Sequence, residues 1–97
     1  MLHIINTYPI SISFLNNTHS GDTVIFTENA VLAIKQENSD FEAFTRKAFK
    51  HINLYVRKAD LLIKNISNSE LLRGITIIDD VQFNYAINQG FAIKSYN

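Results

Sequence analysis

The 97 residues make one domain, 1–97, whose core is adequate but thin, since at this size roughly two-thirds of the unfolded chain's surface can be buried. Nine Lys and Arg balance nine Asp and Glu, so there is no chain-wide basic field, and direct, tight tRNA binding by this chain alone is disfavoured. There is no cysteine, which excludes disulfides, thiolate metal sites and persulfide chemistry on this polypeptide.

Leu2 to Asn6 reads as a first strand, and the unbroken apolar run around His3 suits a strand covered on both faces. Pro9 opens a helix carrying Ile10, Phe14 and Leu15, until Gly21 supplies a left-handed turn. Asp22 then leads into a second strand, Thr23 to Thr27, rich in β-branched and aromatic residues. Glu28 or Asn29 can cap a short helix in which Val31 and Ile34 share a face. Lys35 to Asp40 is polar and turn-like, and Asp40 can cap a helix with Phe41, Phe44 and Ala48 that ends near His51.

Ile52, Leu54 and Val56 alternate with Asn53, Tyr55 and Arg57, the period of a third strand. Asp60 is placed to cap a short helix from Leu61 to Ile66, Ser67-Asn68-Ser69 is a loop, and Glu70 to Leu72 adds a helical turn. Ile75 to Ile78 is a fourth strand ending at Asp79-Asp80, where a carboxylate can cap the helix holding Val81, Phe83, Tyr85 and Ile87. Gly90 stops that helix, and Phe91 to Tyr96 forms a last strand. This alternation predicts a three-layer α/β/α fold around a mostly parallel five-stranded sheet with right-handed crossovers.

Met1-Leu2-His3, Pro9, Gly21-Asp22 before an apolar strand, Val31, Asp60-Leu61, and Ile77-Ile78-Asp79 followed by Phe83 stand in an order and spacing that resembles the DsrH/TusB family of DsrE/DsrF/DsrH-like proteins. Two places depart from that pattern. Glu28-Asn29-Ala30-Val31 lacks the usual glycine, which implies a backbone there that needs none, and Lys64-Asn65 stands where an Arg-Gly pair is usual, with asparagine able to take a left-handed turn.

The resemblance implies a structural, non-enzymatic subunit of a heterohexamer, two copies each of this chain and of TusC-like and TusD-like homologues. One of those partners would carry the active cysteine. The assembly passes persulfide sulfur towards 2-thiouridine at the tRNA wobble position, and the missing cysteine places this chain on the TusB side. Self-association of the chain when purified alone is left open.

His3, His19 and His51 fall on separate elements without metal-ligand spacing, so no metal is expected, and no cofactor either. The three glycines are too dispersed to cradle a phosphate, and no GxSxG elbow occurs. No apolar run approaches a membrane span, and Met1 to Ile10 lacks the character of a signal peptide, so a cytoplasmic location is expected. Phe83, Tyr85, Phe91 and Tyr96 crowd one end of the chain, more than one helix face and one strand face can bury, and with His3 they are the candidate partner contacts. A second reading, a homo-oligomeric small-ligand module, places the ligand at the carboxyl edge of the sheet near Glu28, Asn29 and Asp79. A third, acid-base catalysis by His3 and Asp79, comes last.

Overall fold

Five short parallel strands lie side by side in the order β4-β3-β2-β1-β5. They are β1 (Leu2–Ile5), β2 (Thr23–Phe26), β3 (Asn53–Arg57), β4 (Ile75–Ile78) and β5 (Ile93–Tyr96). The computed structural model describes residues 1–8, 18–35, 51–72, 74–89 and 92–96. The helices expected after Pro9 and after Asp40, and the positions of Gly90 and Phe91, lie outside these residues.

Every pairing is parallel: Leu2 sits opposite Thr23 and Ile93, Thr23 opposite Asn53, and Leu54 opposite Ile75. Parallel neighbours must be joined by crossovers that cover the sheet, which is why β1 and β2 read as continuous apolar runs. Ile5, Val24, Phe26 and Val56 point to one face and pack with Ala30, Val31, Ile34, Leu61, Ile66, Leu71 and Leu72. Leu2, Ile25 and Ile78 point to the other, where they meet Phe83, Ala86 and Ile87. Two apolar layers on opposite faces of one sheet make the three-layer α/β fold.

The connections differ locally from the expected ones. A 3-10 helix, Glu28–Ile34, follows β2, with Thr27 at its N-cap and no side-chain cap from Glu28 or Asn29. Glu28 takes φ +51°, so the turn does need a left-handed residue and a non-glycine side chain bears the strain. Asn65 takes φ +57° and Gly21 φ +92°, as the sequence requires of them. Helix α1 (Lys58–Ile63) starts before Asp60, with Arg57 at its N-cap. Asp60 is therefore inside the first turn and buried instead of capping it.

A second 3-10 turn, Asn68–Glu70, is held by a capping box between Ser67 and Glu70. Leu72 then donates its amide to the Ile34 carbonyl at 2.8 Å, tying this loop to the end of the first 3-10 helix. Helix α2 (Asp80–Ile87) has Asp79 at its N-cap as expected. The Asp79 carboxylate accepts from the Gln82 amide at 2.8 Å, and the Asp79 amide donates to Gln82 Oε1 at 2.9 Å. Among the described residues no helix is long and apolar enough to cross a membrane.

Candidate functional site

The carboxyl end of the sheet gathers the residues of the ligand-edge reading. Glu28 and Asn29 are exposed just beyond β2, whereas Asp79 lies beyond β4, with β3 between them, roughly 10 Å away at two strand spacings. Asp79 is spent on the α2 cap, so these three do not converge on a ligand. Between them stands Arg57, which the sequence reading counted only as a strand residue. Its Nε donates to Asp80 Oδ1 at 3.0 Å, its Nη1 is 3.7 Å from Asp60 Oδ2, and its guanidinium lies 5.1 Å over the centre of the Phe83 ring. The signal was available in the acidic residues three positions after Arg57 and directly after Asp79. Asp60 Oδ2 is buried without a hydrogen bond, so Arg57 is its nearby compensation. Among the described residues no group of three His, Cys, Asp or Glu could hold a metal ion.

His3 belongs to a different constellation at the amino end of β2. Its ring is wholly buried, and Nε2 donates to Asp22 Oδ2 at 2.9 Å. Asp22 also accepts from the His19 amide at 2.9 Å and from the Met1 amino group at 3.0 Å. Burial alone would push the Asp22 carboxyl up, but these hydrogen bonds and the positive amino group outweigh it and hold the group well below the usual carboxylate range. His3 as a surface contact is thus corrected: the side chain is turned inward and locks β1 to the start of β2. His3 and Asp79 also stand three strands apart, roughly 14 Å, so they form no acid-base pair.

Helix α2 and the sheet beneath it frame a cleft of about 620 Å³. Its floor includes Leu2, Thr23, Tyr55 and Thr76, and its α2 wall is made by Val81, Gln82, Tyr85, Ala86 and Gln89. Phe83, one of the expected contacts, faces inward: it packs against the Leu2, Ile25 and Ile78 cluster beneath Arg57, because its position on α2 is the one that meets the sheet. Tyr85 remains 68 % exposed, and Val81, which the sequence reading left unmarked, is 76 % exposed. Phe91 lies outside the described residues, and the Tyr96 backbone pairs beside Ile5. Among the described residues its lining has no charged side chain, and it presents the hydroxyls of Thr23, Tyr55, Thr76 and Tyr85 and the carboxamides of Gln82 and Gln89.

A solved structure, that of a protein of unknown function, MTH1491, from Methanobacterium thermoautotrophicum, is similar over 98 % of this chain and 96 % of that one, with a TM-score of 0.77 and 10 % identity. At that identity the likeness speaks for the fold alone. Comparison with curated proteins finds no match. A family model described as "DsrH like protein" matches residues 9–88. That span includes β2, β3, β4 and α2 with its capping aspartate, and carries a role related to sulfur relay with partner subunits: the chain belongs to the DsrH-like family.

Proposed function

We propose that this chain is a non-catalytic subunit of a cytoplasmic sulfur-relay complex that passes persulfide sulfur towards 2-thiouridine at the tRNA wobble position. The observation that carries the reading is a family match over residues 9–88 in a chain without a cysteine. A persulfide needs a thiol sulfur, and this polypeptide has none, so its sulfur chemistry belongs to a partner. The described side chains fit that role. His3 and Asp22 are engaged with each other, and the exposed apolar side chains of α2, Val81 and Tyr85, suit protein contact. The partners in this reading are TusC-like and TusD-like homologues in a heterohexamer, with Tyr85 among the contacts.

Co-expression with the neighbouring genes followed by affinity capture of this chain tests the proposal. Two homologous chains of similar size should co-purify, one bearing a cysteine that accepts labelled sulfur from a persulfide donor. Capture of this chain alone, or sulfur transfer that is unchanged when it is omitted, would overturn the reading.

A further inference from the structure

The amino end of the sheet is built around one short side chain. The Asp22 carboxylate stands at the start of β2 with 9 % of its side chain exposed, and its two oxygens are divided between different partners. Oδ2 accepts from the His3 ring and from the His19 amide, both at 2.9 Å. Oδ1 accepts from the Met1 amino nitrogen at 3.0 Å. That amino group brings a full positive charge to a carboxylate that burial has taken out of water, where an uncompensated charge is costly.

The same junction holds the backbone around it. The Thr23 amide donates to the Met1 carbonyl at 3.2 Å, the Asp22 amide to the His19 carbonyl at 3.0 Å and the Gly21 amide to the His51 carbonyl at 3.0 Å. Met1, Leu2, Gly21 and Thr23 all line the cleft beside α2. The amino end of that cleft is therefore made of residues that Asp22 and its neighbours tie together.

Acylation would change the amine in two respects at once. Attack of the nitrogen on an acyl thioester forms an amide C–N bond, breaks the C–S bond and releases a thiol and a proton. The product nitrogen is uncharged and planar and keeps a single N–H. A charge-assisted hydrogen bond becomes a neutral one of about half the strength, and Oδ1 of Asp22 loses its counter-charge. We propose that the Met1 α-amino group is a modification site that controls this junction: free and charged, it latches β1 to the start of β2 and holds the amino end of the cleft, and acylated, it releases both. The inference is independent of the sulfur-relay reading, because it concerns the folding equilibrium of the chain by itself.

The full chain prepared by chemical synthesis with Met1 free, Nα-acetylated or Nα-methylated tests this. Acetylation removes the charge, whereas methylation keeps a cation with two N–H donors. Urea unfolding should give the acetylated chain a folding equilibrium constant about 10-fold below that of the free chain, and the methylated chain one within about 2-fold of it. Hydrogen exchange of the Thr23 amide, bonded to the Met1 carbonyl, should be faster in the acetylated chain alone of the three. In an Asp22→Asn background acetylation should change the equilibrium constant by less than about 2-fold, because the charge through which it acts is gone. Acetylated and free chains of equal stability overturn the proposal, and so does a loss that acetylation and methylation share, which would make the effect one of bulk. An equal loss in Asp22→Asn overturns it as well, and should that variant fail to fold, the acetyl form against the methyl form decides.

Discussion

Asp22 is a single carboxylate with three donors around it, from His3, His19 and the Met1 amino group. Asp22→Asn removes the negative charge that pairs with the amino group and turns one acceptor atom into a donor facing its neighbours. The variant should be destabilised by about 3 kcal/mol in urea unfolding. The pH dependence follows from linkage. The folded carboxyl holds its proton less tightly than the unfolded one, whose ordinary value is 3.8, so the unfolded chain binds the extra proton. The stabilisation is fully present above that ordinary value and is lost as the pH falls towards the lowered folded one. Acid titrations of unfolding should show this loss in the parent and a flatter acid limb in Asp22→Asn. Glu28, with φ +51°, gives the opposite sign: Glu28→Gly should raise stability by about 1 kcal/mol, because glycine accepts a left-handed backbone without the Cβ clash. Both values come from equilibrium denaturation, and a loss on Glu28→Gly would mean that the Glu28 side chain earns more than its backbone costs.

At the level of elements, the Asp79 carboxylate satisfies the Gln82 amide in the first turn of α2, and Asp79→Ala should cost about 1 kcal/mol. Urea unfolding curves of the parent and the variant read this loss directly. This cap was legible because a strand, an acidic pair and an apolar helix follow one another with no room for another arrangement. The strands were equally plain, β3 from alternation and β1 and β2 from continuous apolar runs. The helix starts were less so. Asp60 has the chemistry of a cap, but the chain turns helical at Lys58, and an aspartate in the first turn is favoured by the helix dipole as well. The strain at Glu28 was invisible because the residue types there carry no φ preference strong enough to announce it. His3 shows a further limit. Its partner Asp22 is nineteen positions away, and only the parallel register of β1 with β2 brings the two together. Phe83 and Tyr85 are alike as letters, and their separation into an inward and an outward side chain depends on how α2 is rotated over the sheet.

For the whole molecule, the all-parallel sheet has β4 and β5 at its two edges, and α2, which follows β4, packs on the Leu2, Ile25 and Ile78 face. The same design suits a subunit whose contribution is shape: side chains with reactive potential, His3 and Asp22 in particular, are consumed in holding strands together, and the exposed groups are those that adhere.

The pairing of β5 beside β1 sets the order in which the molecule can be completed. The first of these five strands to be made waits for the last of them before its second flank is closed. A nascent chain stalled before Ile93 would hold β1 with one bare flank, its pairing with Ile93 to Tyr96 still to be made.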